Sequence, residues 1–248
     1  MSSRQSAAPF VIGRRGALAL PWAIGVAALG GGCRSRGIAF EYDGGRAFSR
    51  EERAAIERCA EGAVAEVRPL LPALATRLVL RVSAGTDVIP ETGETATAYP
   101  PDAVAWVVDA TREGAVIATA RAQLRFTLFH ELHHLVRDAA LPRRSLLDHV
   151  VAEGLATAFE RDSAGAKPAW GEYPEGAARW VKELEALPPK VDVSLWLYGR
   201  HPDGRRWVGL RAGTYLADRA TRALGKTAAE LVTTPTSAIL EAAARAPG

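Results

Sequence analysis

Cysteine is nearly absent from this 248-residue chain, which holds only Cys33 and Cys59. That excludes a disulfide-stapled scaffold and a metal site built from several thiolates. Histidine is scarce as well, five in all, so any place where several gather carries weight. No apolar run reaches the roughly 20 residues that span a bilayer comfortably. There is no basic stripe of the kind that binds nucleic acid. The formal charge is +3 and the pI about 9.1, but Arg4, Arg14, Arg15, Arg34 and Arg36 precede any acid, and beyond them acids outnumber bases. The basic balance belongs to the first 36 residues, and no nucleic-acid partner is expected. The chain has no internal repeats. Its hydrophobic share of 48% with 24% charge is that of a globular, soluble chain.

Those first residues read as an export signal. Arg14-Arg15 precedes an apolar or small run from Gly16 to Leu29, which ends in Gly-Gly-Gly-Cys33. A basic start, a short apolar core and a small-residue exit are the parts of a secretory leader. The arginine pair is similar to a twin-arginine signal. Leu29-Gly-Gly-Gly-Cys33 resembles a bacterial lipoprotein box, with Leu29 one place further from the cysteine than usual. The expectation is therefore a leader over 1–36 and one domain over 37–248. The protein is expected to be exported to the cell envelope or secreted, with Cys33 a candidate lipid anchor. Cys59, on an amphipathic stretch, is expected to serve in packing.

Three of the five histidines fall within Phe126-Thr-Leu-Phe-His130-Glu131-Leu-His-His134-Leu-Val-Arg-Asp138. Leu124, Leu128, Leu132 and Leu135 form an apolar stripe, and from Ala115 to Arg137 there is neither Pro nor Gly, so a helix is predicted. On a helix, positions four apart lie only about 40° apart around the axis. His130 and His134 then project from one face and can bind one cation. Glu131, about 100° from His130, reaches the open side of that cation rather than the cation itself. Zinc lowers the pKa of a water there to roughly 7, and a carboxylate beside it can take the proton as the water attacks a carbonyl. One Zn2+ ion is the expected cofactor, with Glu131 as general base.

Ser49-Arg-Glu-Glu52 is a capping box, opening a helix to about Arg68 that Pro69 and Pro72 stop. Arg77–Ser83 alternates charged with apolar residues, a half-buried strand. Residues 86–101 are rich in Gly, Pro, Thr and Glu and read as a loop, with a short extended piece near Thr95–Tyr99. Ala103–Asp109 is a further strand, either an edge that pairs with an extended peptide or, through Trp106, plain core. Ser145-Leu-Leu-Asp148 caps a helix to Phe159 or Arg161. Further helices are predicted over Glu175–Leu187, Val208–Leu224 and Thr227–Arg245. Val191–Tyr198 fits a strand or a helix.

Two histidines leave a zinc site one protein ligand short. Glu153, in Val151-Ala-Glu153-Gly-Leu-Ala156, is the leading candidate, because the small residues around it let a second helix lie close. Gly154 is otherwise unfavourable in a helix by about 1 kcal/mol relative to Ala. His149, four residues earlier on the same face, and Asp148 are the alternatives, and Glu160 shares the face seven residues on.

Together, His130-Glu-Leu-His-His134 and Leu146-Leu-Asp-His-Val-Val-Ala-Glu153-Gly-Leu-Ala156 with Phe159 resemble a domain-of-unknown-function family of predicted zinc-dependent proteases. The resemblance extends over roughly residues 50–245. It departs in the tail, where Leu210 and Thr214 stand at the tyrosines of the family's Gly-Tyr-x-x-Gly-Tyr and Tyr215 follows one place later. What the resemblance implies is a gluzincin-like fold and peptidase activity. The expected architecture is α+β: a mainly helical zincin-like metallopeptidase domain with a small β-sheet ahead of the metal helix. The expected reaction is peptide-bond hydrolysis on a peptide or protein substrate. A non-catalytic surface lipoprotein with a zinc site, or an amidase acting on cell-wall peptides, are the alternatives. An oxyanion donor is also needed. Tyr215 is the first candidate, followed by Tyr198, His149, His201 and Arg211.

Overall fold

The structure, a computed structural model, describes residues 37–246 except 44, 199 and 200; the expected leader with Cys33 lies outside the described residues. Two layers account for most of the chain. A four-stranded mixed sheet in the order β1-β2-β4-β3 consists of β1 (Gly37–Tyr42), β2 (Arg77–Ala84), β3 (Glu94–Tyr99) and β4 (Ala103–Val108). β1 and β4 both run parallel to β2, while β3 pairs antiparallel with β4. The alternation in β2 buries Leu78, Leu80 and Val82 and exposes Arg77 and Arg81. That leaves one face of the sheet for helices.

The capping box at Ser49 forms as predicted, and α1 runs Arg50–Val67 as the parallel crossover from β1 to β2. Next comes α2 (Ala115–Thr119). A π-helical turn (Ala120–Leu124) joins it to the metal-motif helix α3 (Arg125–Ala140). All four stripe leucines of α3 and its approach are buried. Ser145 and Asp148 make the second capping box, opening α4 (Leu146–Ala164), which ends at Gly165 in the left-handed region. Then follow α5 (Ala177–Glu185), α6 (Val193–Leu197), α7 (Val208–Leu224) and α8 (Thr236–Arg245). None of the helices among the described residues is long and apolar enough to cross a membrane.

Two expectations change, and the others sharpen. β1 was not anticipated, although Ile38, Phe40 and Tyr42 alternate with Ala39 and Glu41. Ala103–Val108 is an interior strand, the core alternative, and β3, which takes in the extended piece expected near Thr95–Tyr99, is the edge beside it. Trp106 is accordingly core, fully buried with its indole N–H donating to Glu94 Oε2 at 2.7 Å. The last helix starts only at Thr236, because Pro235 lacks the N–H that continuation from Thr227 would need. Val191–Tyr198 resolves as the short helix α6, and Cys59 is a free thiol, half-buried against the core.

Candidate metal centre

Helix α3 offers His130 and His134 one turn apart, and α4 packs beside it to bring in Glu153. Three donor atoms converge: His130 Nε2 lies 3.2 Å from Glu153 Oε2 and 3.0 Å from His134 Nε2, and His134 Nε2 lies 3.4 Å from Glu153 Oε2. A tetrahedral ion about 2.0–2.1 Å from each donor requires separations of about 3.3 Å. The triangle fits. All three residues are buried, and they form a group that could hold one metal ion.

Glu153 reaches this position because Gly154, beside it, meets α7 at Gly213. A Cβ on Gly154 would lie 2.6 Å from Gly213 Cα and closer still to its carbonyl. Only glycine on both helices allows that approach.

The ligand residues are themselves held. His130 Nδ1 pairs with Glu160 Oε2 at 3.0 Å, the carboxylate–histidine arrangement that turns the other ring nitrogen toward a metal. Glu160 thus backs a ligand instead of being one. Arg143, from the loop between α3 and α4, binds Glu153 Oε1 through Nη1 and His134 Nδ1 through Nη2, each at 2.8 Å, and makes two more bonds to Asp138. A guanidinium can only donate, so Nδ1 of His134 accepts and that ring's proton sits on Nε2. To hold a metal through Nε2, that proton would have to move to Nδ1 and the Arg143 Nη2 bond there be given up. Sequence reasoning passed over Arg143; its one signal was its place in the short loop joining the two ligand helices.

The charges at the site follow from burial and these contacts. Burial pushes the Glu131 carboxyl up to about 7, with Glu153 and Glu94 raising it further and His130 and Arg143 opposing. Burial also works against ionised Glu153, but His134, His130 and Arg143 outweigh it and hold its carboxyl well below the usual range. His134 is lowered to about 4 by burial and the Arg143 charge. His130 is raised well above its ordinary value, because its bonds to Glu153 and Glu160 overcome burial. Glu94, the buried first residue of the edge strand, is pushed up by burial and stands within electrostatic reach of Glu131 and Glu160. It too was missed.

Other candidates sort cleanly. Asp148 is spent on its capping box, accepting from Arg144 N, Ser145 N and Ser145 Oγ. His149 is half-buried and outside the ligand triangle. His133 points away, fully buried, with Nε2 3.3 Å from the Ala228 carbonyl. Tyr215, first choice for the oxyanion donor, instead packs its ring on Tyr173 and under Arg219. Arg211 bonds the Ala169 carbonyl, and His201 pairs with Asp203. Tyr198 is the tyrosine at the centre, its hydroxyl donating to Glu153 Oε1 at 3.1 Å. Burial and the Glu153 charge hold its pKa well above the ordinary 10, so it remains a donor at neutral pH. Glu183, His201 and Asp203 form a second acidic cluster. There Arg205 already bridges both carboxylates at 2.7 Å, and no ion is needed to balance them.

A mixed sheet followed by two packed helices thus brings two histidines and a glutamate into a group that could hold a metal ion, with a second glutamate in the motif. The chain belongs to the family described as predicted Zn-dependent protease (DUF2268), which it matches over residues 56–241. No curated protein matches it, and no solved structure does.

If Glu160 orients His130, Glu160→Ala is expected to weaken zinc binding ~10- to 100-fold. Competition against a chromophoric chelator checks this; unchanged affinity would remove Glu160 from the site.

Proposed function

We propose that this protein is an exported zinc peptidase with a zincin-like, gluzincin-type arrangement. The observation that carries the reading is the donor triangle of 3.0, 3.2 and 3.4 Å among His130, His134 and Glu153. When bound, zinc supplies a lowered water pKa and a polarised carbonyl at its open position. Glu131 takes the proton that the attacking water gives up and returns it to the departing amine. The Tyr198 hydroxyl, already at Glu153, donates toward the charge that develops on the carbonyl oxygen. Arg143 and Glu160 keep the ligand carboxylate and imidazole in place. β3, with no named strand on its outer side among the described residues, is the edge with which an extended peptide would pair.

Metal analysis of the purified protein, followed by digestion of a broad peptide library, tests the proposal. One zinc per chain and cleavage abolished by chelation and restored by zinc are expected. Bound zinc without hydrolysis of any peptide would leave a binding module instead. Tyr198→Phe is expected to lower kcat by about 10²-fold with KM little changed. A loss confined to KM would make Tyr198 a substrate-binding group.

A further inference from the structure

The sheet gathers three pieces of chain at one end. β1 begins there at Gly37, and since β1, β2 and β4 are parallel, β2 also begins there at Arg77 and β4 at Ala103. The register is Gly37 opposite Arg77, Val79 opposite Ala103, and Tyr99 opposite Ala103. The loop from α1 into β2 and the turn from β3 into β4 therefore sit at the same end as the first described residue. Both are apolar and exposed at their tips. The first shows Leu70, 40% exposed, and Pro72; the second shows Tyr99, 50% exposed, with Pro100 and Pro101. Leu70 and Tyr99 are two of only four large hydrophobic residues exposed among the described residues.

The sequence says what lies next to this end. Cys33, the candidate lipid-bearing residue, is four Cα steps from Gly37, a reach of at most about 14 Å. Neighbouring strands are about 4.8 Å apart, so Tyr99, three strands over and level with Ala39, is separated from β1 by about the length of that tether. Arg34 and Arg36 lie in that tether and exposed Arg77 at the strand start. Of the acids nearby, Glu66 is tied to Arg125, which leaves Asp102. Apolar loop tips beside basic residues suit the boundary between lipid headgroups and acyl chains.

We propose that this end of the sheet, through Leu70, Pro72, Tyr99, Pro100 and Pro101, rests on the membrane that carries the Cys33 anchor. The loops at the opposite end, about 20 Å away for strands of six residues, then face outward. Glu94 lies at that far end, opposite Val108, and its carboxylate is within electrostatic reach of Glu131. This inference does not depend on the peptidase reading.

The test uses the full chain, leader included, recovered from a bacterial host with its membranes. It is reconstituted in vesicles of phosphatidylethanolamine and phosphatidylglycerol with brominated acyl chains. A fluorophore is placed at Leu70→Cys, Tyr99→Cys or, at the opposite end, Glu113→Cys, each in a Cys59→Ser background. The Cys59→Ser parent corrects for label on Cys33. Brominated lipid is expected to quench the labels at positions 70 and 99 roughly threefold or more beyond the label at 113. Equal quenching at all three positions, stronger quenching at 113, or a chain that does not stay with the vesicles would overturn the proposal.

Discussion

Glu131→Gln is expected to lower peptide turnover by roughly 10²- to 10⁴-fold while zinc stays at one ion per chain. Glu131 is no part of the donor triangle, so its loss leaves His130, His134 and Glu153 in place. What disappears is the group that moves the proton. Activity retained with zinc bound would end the general-base role. The same substitution has an opposite effect on stability in the metal-free protein. In the folded chain burial holds the Glu131 carboxyl near 7, against 4.5 for an exposed glutamate. Between these values the unfolded chain holds fewer protons than the folded one, so stability falls as pH rises through that window. Below about 4.5 the penalty is absent, and above 7 it is fully present, on the order of 3 kcal/mol at ~1.36 kcal/mol per unit. Gln carries no charge to desolvate. Chemical denaturation of chelator-treated protein should show the variant gaining on the parent at pH 8 and losing that gain by pH 5. A difference independent of pH would mean that the carboxyl is not buried as described.

Gly154→Ala is expected to destabilise the protein by about 3 kcal/mol or more and to abolish zinc binding with it. The added methyl would meet the Gly213 backbone, not a side-chain end that can swing aside. Both helices are buried at the crossing, and α7 cannot retreat without opening the core around Val208, Leu210 and Ala212. Because Glu153 is the preceding residue, any slip of α4 moves a ligand oxygen out of the triangle. Gly62→Ala is the matched control, since a Cβ there meets nothing within 4 Å in the middle of α1. It should be neutral or slightly stabilising. Denaturation midpoints and zinc content of the two variants decide the matter.

The parts of the fold that could be read from the chain were those with local signals. Two capping boxes fixed the starts of α1 and α4, and the helical spacing of His130 and His134 fixed the face they share. Glycine at 154, unfavourable in a helix without a packing reason, signalled a close helix crossing, but its partner is Gly213 of α7 and not the metal-motif helix as expected. What stayed hidden depended on pairings distant in sequence. β3 was legible only as a short extended piece near Thr95–Tyr99 inside a loop, because its Thr-rich segment earns full strand status by pairing with β4. Tyr215 was ranked ahead of Tyr198, and the structure reverses that order because the choice depends on where the chain after α6 docks. Arg143 and Glu94 gave no pattern at all, because each acts through neighbours brought in by the tertiary fold.

The glycine crossing also sets an order of events during synthesis. Glu153 is seated by the contact of Gly154 with Gly213, 59 positions further on, so the metal site cannot close until the carboxy-terminal third of the chain has arrived and packed. A chain still emerging offers two histidines but no finished pocket. Zinc uptake then reports completed folding, and the activity proposed for the site cannot turn on the chain's own unfinished neighbours.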